Sequence, residues 1–441
     1  MSNDIPNQND MKQKTDFEDI KAKIQAKIAK IPNRAKAAQA CTEQYNRVYK
    51  SETLQELCSV IKDNFHWWVA NKVITSDLLI QYRKEFAQND IFINISVRCG
   101  FLLCSNATVK ALGNVTVEAC DNAIVEACDN ATVNAYGNAT VNVYNNAKVN
   151  VYNNATVEAC DNATVEAWDN ATVKAYGNAE VNVYNNAKVK AYENATVEAR
   201  DIATVKAWNN ATVEAWDNAI VEAWDNATVE ARDNATVKAW NNATVEAVGN
   251  ATVKAWGNAT VKALGNVTVE AYSNATVKAL GNATVKALGN ATVEACDITT
   301  VEACDNTTVK ACDIAVVNVY NNATVEASGN TIVKVCDNAT VKASGNTTVA
   351  AWGNAIVKAY GNTIVKAWGN AIVKAWGNTV VKAYDNTVVN VYNNAKVKAC
   401  GNVYCTSYRI IECKLSNNAI YRVKSTNTVY YASDNINFIK Q

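Results

Sequence analysis

Hydrophobic and polar residues alternate through most of the chain in a repeat of eight. From Ser105 to Cys400 the sequence divides into 37 consecutive octads without an insertion or deletion, and GNATVKAW (249–256) is typical. Position five is valine in all 37 copies, and position two is asparagine in 34 of them. Small apolar residues at positions three, five and seven alternate with polar or variable residues at positions four, six and eight. This pattern predicts a β-strand with one buried face.

A short strand followed by a corner, repeated identically, is typical of a parallel β-solenoid. Position one is Gly, Asp or Asn in nearly every copy, and these residues tolerate a left-handed backbone at a turn. Ala-Val-Ala walls fill only a thin interior, so the sequence predicts two-sided coils of about 16 residues rather than three-sided ones. We also expect the position-two asparagines to point inward and to bond along the stack, because isoleucine replaces three of them: Ile202, Ile298 and Ile314.

The repeat divides the chain into four predicted segments. Residues 1–14 are predicted to be a disordered tail, and residues 15–96, with helical spacing of apolar side chains, an α-helical capping or docking domain. Residues 97–400 are predicted to form the octapeptide-repeat solenoid, which would make a rod on the order of 100 Å long. Residues 401–441 are predicted to be degenerate repeats and a C-terminal cap.

Four helices are predicted in the second segment. The first ends at Ile31, the second covers about residues 34–49, the third runs from Ser51 through Trp68, and the fourth begins near Ser76 and Asp77. We expect the third and fourth helices to cover the first edge of the sheet. The lysine-rich first helix would then be free to bind a partner.

Position eight supplies the candidate binding residues. It is Trp or Tyr in 20 of 37 copies and Arg in two others, so it is expected to be at least partly exposed. Taking every second octad places seven aromatic residues in one row, a candidate stripe for binding protein or glycan. The same rings would also stabilise the stack by covering one another, and the sequence leaves both roles open. The candidate residues are Tyr176, Tyr192, Trp208, Trp224, Trp240, Trp256 and Tyr272.

The composition offers little for catalysis. His66 is the only histidine, and no Ser-His-Asp group or zinc-like spacing of Cys and His can be built. We therefore predict no enzyme activity, no catalytic or metal-ligating residues and no cofactor. No apolar run reaches the ~20 residues that a membrane-spanning helix needs.

The charges of the chain balance overall but not locally. With 42 basic and 42 acidic residues, no specific binding of nucleic acid is expected. Residues 105–328 carry 14 basic and 26 acidic residues, whereas residues 329–400 carry 8 and 2. This gradient would orient the protein or steer its C-terminal part toward an acidic partner.

Location is predicted from the polar first residues and the cysteines. The opening MSNDIPNQND has no signal-peptide pattern, and the 14 cysteines are too sparse for a disulfide scaffold. We expect a reducing compartment, either the cytoplasm or a particle assembled inside the cell.

The octads resemble β-solenoid repeat proteins. Their pitch is similar to the two-sided coils of ice-nucleation proteins, and their small-residue core is similar to that of bactofilin-like polymer-forming proteins. The resemblance covers the 37 octads and implies the fold without an activity.

The function predicted is a non-enzymatic structural rod or scaffold that presents repeated surface rows. The alternative is a carbohydrate- or protein-binding solenoid, fibre- or adhesin-like; ice binding is less favoured, because Lys or Glu interrupts the threonine ranks. Self-association stays open.

Overall fold

The computed structural model describes residues 8–31 and 39–432. The chain divides into two compact units, Met1–Val205 and Lys206–Gln441, which are described separately below. Both units contain a parallel β-solenoid with coils of about 16 residues, as the repeat predicts.

The described part of the first unit begins with six helices and continues into parallel strands. The helices are α1 (Gln8–Ala29), α2 (Gln39–Lys50), α3 (Leu54–Asp63), α4 (Phe65–Ala70), α5 (Ser76–Gln81) and α6 (Arg83–Ala87). The strands are β1 (Ile91–Ile93), β2 (Val97–Ser105), β3 (Thr108–Cys120), β4 (Ile124–Cys128), β5 (Thr132–Ala135), β6 (Thr140–Val143), β7 (Lys148–Val151), β8 (Thr156–Ala159), β9 (Thr164–Ala167), β10 (Thr172–Ala175), β11 (Glu180–Val183), β12 (Lys188–Ala191) and β13 (Thr196–Ala199); β14 (Thr204–Ala207) contains the division between the units.

The third predicted helix begins at Leu54 rather than at Ser51, whereas the fourth begins at Ser76, as predicted. The Thr53 hydroxyl accepts a hydrogen bond from the Glu56 N–H at the start of α3, and Thr75 caps α5 in the same way. A threonine oxygen at this position satisfies a backbone donor that has no partner within the helix. The predicted third helix is also interrupted at Asn64, so it forms α3 and α4.

The first helix differs from its prediction in two respects. It begins at Gln8, so residues 8–14 of the predicted tail are helical, while residues 1–7 lie outside the described part. Its apolar side chains are buried in the core of the helical domain, so α1 packs with the other helices and does not stand free. The predicted start of the second helix, at residue 34, also lies outside the described residues. The buried side chains of α1 are Phe17, Ile20, Ile24 and Ile28.

The helical domain shares its core with the first strands of the sheet. Ile91 and Ile93 of β1 and Leu103 of β2 are buried with the helix side chains. β1 pairs with β2 in parallel, and β2 pairs with β3, so the helices cover the strand at which the ladder begins. Covering this edge removes an open template for pairing with other strands.

Octads two apart pair along the whole repeat. In the first unit Val157 pairs with Val173, and in the second Val237 pairs with Val253, a spacing of 16 residues in each. Positions three, five and seven point inward and are fully buried, as at Ala251, Val253 and Ala255. Each buried valine contributes about 2 kcal/mol of hydrophobic stabilisation. The predicted two-sided coil and its buried face are confirmed.

The corners explain the preference for aspartate at position one. Asp161 has a φ of 61°, and its carboxylate accepts the backbone N–H of Asn145, 16 residues earlier, at 3.1 Å. Gly177, at the same position of a later coil, likewise donates to Glu193 at 2.9 Å. A carboxylate at position one therefore satisfies a backbone donor of the preceding coil, in addition to the parallel ladder.

The position-two asparagines form the predicted ladder but on the outside of the coil. The Asn258 side-chain N–H donates to the Asn242 oxygen at 3.3 Å, and the bond recurs at 16-residue intervals. The expectation of burial is wrong: the substituting residues Ile202, Ile298 and Ile314 are 54%, 53% and 56% exposed. The left-handed residue at position one turns the next side chain outward, so isoleucine here replaces a surface hydrogen bond.

The second unit consists of parallel strands with the same repeat. They are β15 (Thr212–Ala215), β16 (Ile220–Ala223), β17 (Thr228–Ala231), β18 (Thr236–Ala239), β19 (Thr244–Gly249), β20 (Thr252–Ala255), β21 (Thr260–Gly265), β22 (Thr268–Ala271), β23 (Thr276–Leu280), β24 (Thr284–Ala287), β25 (Thr292–Ala295), β26 (Thr300–Ala303), β27 (Thr308–Ala311), β28 (Val316–Val319), β29 (Thr324–Ala327), β30 (Ile332–Val335), β31 (Thr340–Ala343), β32 (Thr348–Ala351), β33 (Ile356–Ala359), β34 (Ile364–Ala367), β35 (Ile372–Ala375), β36 (Val380–Asp385), β37 (Val388–Val391), β38 (Lys396–Gly401), β39 (Tyr404–Ser407), β40 (Cys413–Ser416), β41 (Ile420–Val423) and β42 (Thr428–Tyr431).

The parallel ladder ends at an antiparallel pair. β42 turns back along β41, with Tyr430 opposite Tyr421. Tyr421 is buried, and its hydroxyl lies 2.6 Å from the Ser407 hydroxyl and accepts the Ile411 N–H. The last described strands thus have larger buried side chains than the octads. None of the described helices carries an apolar stretch long enough to cross a bilayer.

Two neighbouring substitutions test the inward and outward assignment. Val253→Asp places a carboxylate in the apolar core and should cost about 3 kcal/mol or more. Lys254→Gln removes a half-exposed partner of Glu270, at 3.1 Å, and should cost no more than about 1 kcal/mol. Chemical unfolding of both variants measures the difference. Equal losses would contradict the burial of Val253.

Candidate functional site

The predicted aromatic residues stack within each of the two units. Tyr176 and Tyr192 stack in the first unit with ring centroids 4.9 Å apart and planes 7° apart. In the second unit the rings from Trp208 to Tyr272 form a row, with centroid separations of 4.8 to 5.4 Å and interplanar angles of 6° to 11°. All seven side chains are half-buried, which confirms that position eight is partly exposed.

The stacking determines which part of each ring can meet another molecule. Near-parallel rings whose centroids lie about 5 Å apart are offset-stacked, so each ring covers part of its neighbour's face. Within each row, therefore, ring edges face outward and ring faces are in contact with neighbouring rings. The surface offered is a stripe of aromatic edges.

Three further rows were not singled out from the sequence. In the first unit Tyr136, Tyr152, Trp168 and Tyr184 stack with centroids 4.8 to 5.6 Å apart. In the second unit one side of the coil stacks Trp352, Trp368 and Tyr384, and the other stacks Tyr360, Trp376 and Tyr392. The same every-second-octad grouping that identified the longest row predicts these rows.

Arginine is compatible with position eight because its guanidinium also stacks. Arg232 lies 4.4 Å from the ring centroid of Trp216, the aromatic residue one coil earlier, and also pairs with Glu230. A planar cation on an indole face is a favourable arrangement. Arginine thus continues an aromatic column and adds a charge to the surface.

His66 extends one aromatic row into the helical domain. It belongs to α4 and stacks on Tyr136, the first ring of the row, with centroids 5.5 Å apart. The Tyr136 hydroxyl hydrogen-bonds to the same imidazole. His66 is therefore the point where the helical domain contacts an aromatic row of the solenoid.

The same histidine bonds to a buried carboxylate. Glu118, at position six of an early octad, has a fully buried side chain, and its Oε2 lies 3.2 Å from His66 Nδ1. The Asn134 side-chain N–H donates to the other carboxylate oxygen at 2.7 Å, and Asn150 donates to Asn134 at 2.8 Å. A charged side chain is costly to bury unless it is paired and hydrogen-bonded, and this network supplies both.

Both partners hold protons more tightly than usual. The hydrogen bond to Glu118 raises the pKa of His66, and burial raises the pKa of the Glu118 carboxyl. Folding therefore takes up protons at this junction, so its stability is greatest at low pH and falls as the pH rises through the raised values.

The sequence identifies His66 as the only histidine but gives no sign of its partner. Glu118 is one of many position-six glutamates, and its spacing does not distinguish it from the exposed ones. Only the placement of α4 over the first coils buries it. Glu118 and Asn134, the next residue of the same column, are both buried, and this burial at the start of a periodic column is a tertiary effect.

One pair of cysteines departs from the expected free thiols. Cys296 and Cys312 occupy position eight of octads two apart and form a disulfide with Cα atoms 4.8 Å apart. Their sulfurs and a carboxylate oxygen of Asp313 lie within 4.8 Å of one another, an arrangement with metal-ligand chemistry. A soft metal ion requires thiolates, and in the disulfide both sulfurs are bonded to each other. Eleven other described cysteines are free thiols.

The His66–Glu118 pair predicts a specific pH dependence. His66→Gln removes the titrating cation, so its cost relative to the unsubstituted protein should be largest near pH 5.5 and shrink toward pH 8.5. Because the imidazole is half-exposed, we expect a loss of about 1 kcal/mol at the acidic end. Thermal unfolding followed by the helical circular-dichroism signal measures it.

A second variant serves as the control for this pair. Glu118→Gln keeps an oxygen for Asn134 but removes the charge, so it should flatten the same part of the pH profile. Combining both substitutions should add little, because each removes the same interaction. A cost of His66→Gln that is constant across the pH range would contradict the ion pair.

Comparison of the chain with protein-family models, with curated protein sequences and with solved structures gave no significant match. The similarity to ice-nucleation and bactofilin-like solenoids is therefore one of repeat pattern alone.

Proposed function

We propose that this protein is a non-enzymatic structural scaffold whose solenoid presents periodic surface columns to other macromolecules. The observation that carries the proposal is the stacking of position-eight rings, whose planes lie within 4° to 12° of parallel in all four rows. Rings that contact each other face to face contribute to cohesion between coils. Their edges, with charged columns beside them, form the outer surface.

The arrangement supports cohesion more than sugar binding. A sugar ring binds an aromatic side chain by stacking on an open face, because the ring face carries the negative potential. In these rows the faces are engaged by neighbouring rings about 5 Å away. A protein partner can use aromatic edges together with adjacent charges, so among binding functions the geometry favours protein over glycan.

The outer columns also bear on the less favoured ice-binding interpretation. Thr252 at position four is followed on the same face by the Lys254 ammonium, which pairs with Glu270. Charged columns beside each threonine rank hold ordinary hydration water through strong hydrogen bonds. This surface suits contacts with charged macromolecules.

Removing three rings from one row tests the scaffold. The substitutions Trp224→Ala, Trp240→Ala and Trp256→Ala should lower the unfolding temperature while keeping the β-sheet circular-dichroism spectrum, since each stacked pair is worth about 0.5–1.5 kcal/mol. Replacing Leu264 and Leu280 by Ala, on the other side of the coils, is the matched control and should cost less.

Binding measurements on the same variants separate scaffold from glycan receptor. On a glycan array, both the unsubstituted protein and the tryptophan variant should give background signal. Specific glycan capture that disappears in the folded tryptophan variant and persists in the leucine control would replace the scaffold proposal with the carbohydrate-binding one.

A further inference from the structure

One column of charged residues in the second unit has acidic residues near one end and basic residues near the other. If the column is read backwards, most positions therefore carry the opposite charge. Position six on one side of the coils presents eleven consecutive residues in register, each half-exposed or exposed. We call this set the charge column. In chain order it consists of Glu214, Glu230, Glu246, Lys262, Lys278, Glu294, Lys310, Glu326, Lys342, Lys358 and Lys374.

The two ends of the charge column carry opposite charges that nearby side chains neutralise only partly. Three glutamates stand at one end and three lysines at the other. Within the described residues no salt bridge forms at Glu214, Lys358 or Lys374, whereas Lys342 pairs with Glu326 at 2.6 Å. Like charges directly opposite in neighbouring strands are destabilising, so these ends favour an external partner of opposite charge.

We propose that this face pairs with the same face of a second copy of the chain, antiparallel, about a two-fold axis that passes near Glu294. Rotating one face about an axis along the strand direction reverses the order of coils and keeps position six opposite position six. Four of the five resulting residue pairs then join opposite charges, Lys278 with Lys310 joins like charges, and Glu294 at the axis faces Glu294 of the second copy. The four are Glu214 with Lys374, Glu230 with Lys358, Glu246 with Lys342, and Lys262 with Glu326.

Neighbouring columns are compatible with the same arrangement. At position eight it sets Trp216 opposite Trp376, and Arg232 opposite Tyr360, a cation facing an aromatic residue. At position four it sets Thr228 opposite Ile356. None of these three pairs brings like charges together.

The spacing and the area both suit a dimer. Both copies have the same coil rise of about 4.8 Å, so charges stay in register over the full length of the column. Eleven coils and one outer strand face of about 13 Å would bury roughly 1,200–1,300 Å² in total, at the lower end of stable interfaces. An isologous two-fold interface closes on itself and stops at two copies.

The opposite orientation is excluded by the same charges. Parallel, in-register copies would set glutamate against glutamate and lysine against lysine along the whole column. Like charges facing each other across an interface disfavour association. The antiparallel dimer is therefore a specific consequence of this sequence order, and it stands independently of the scaffold function.

The mass of the full chain in solution, measured by light scattering on a sizing column, tests the proposal. We expect dimers at low salt and a shift toward monomers at about 1 M salt, where screening shortens the range of these charges to about 3 Å. A monomer at low salt, or assemblies larger than two copies, would overturn the pairing.

Charge-reversed variants identify the face. Glu214→Lys with Glu230→Lys makes both ends of the charge column basic, and Lys358→Glu with Lys374→Glu makes both ends acidic. Each double variant alone should dimerise at least about tenfold more weakly. An equimolar mixture of the two should recover dimers, because each end then meets its opposite.

Two further variants distinguish the antiparallel pairing from a general effect of net charge. Combining all four substitutions in one chain restores complementarity and should restore the homodimer. Lys366→Glu with Lys382→Glu, on the other side of the coils, changes the charge equally and should leave the dimer intact. Dimers that survive either double variant of the charge column, or a quadruple variant that stays monomeric with a native β-sheet spectrum, would refute this interface.

Discussion

The pairing of each octad with the octad 16 residues away is the constraint on which the rest of this structure depends. It places every residue beside its own equivalent in the next coil, as Val237 lies beside Val253. Inward positions therefore need only small side chains that repeat, and outward positions form columns. The ladder of parallel strands satisfies the backbone groups within the strands, and side chains such as the Asp161 carboxylate satisfy donors at the corners. What the side chains decide is the interior, the corners and the surface.

Like residues stacked along a column have different consequences by chemical type. Asparagines gain a side-chain hydrogen bond per coil, aromatic rings gain a stacked neighbour, and Cys296 and Cys312 come close enough to form a bond. Charged residues of the same sign repel one another in this geometry, because they lie about 4.8 Å apart. The chain offsets this with alternating signs in places, as where Lys206 and Lys238 flank Glu222. At each end of the charge column the neighbouring residues carry charges of the same sign.

Most of the repeat region could be predicted because its information is local and repeated. The apolar residues at positions three, five and seven predict which face of the strand is buried. The pattern recurs in 37 copies, so a few exceptions do not obscure it. The corners were predicted less well: substitution by isoleucine suggested burial of position two, whereas Ile298 is 53% exposed. Whether a corner side chain points in or out depends on the backbone of the residue before it, which composition does not report. The third predicted helix begins at Leu54 instead of Ser51, because the side chain that caps it is Thr53.

By itself the sequence determined the strand, its buried face, the two-sided coil and the aromatic row. These follow from the order of neighbouring residues and from the volume of Ala and Val. Only the tertiary structure decided that α1 packs inside the helical domain, that Glu118 is buried beside His66, and that ring faces are covered while edges remain exposed. Those features depend on how segments distant in the chain are brought together, because burial, stacking and pKa are set by the atoms around a residue and not by its place in the repeat.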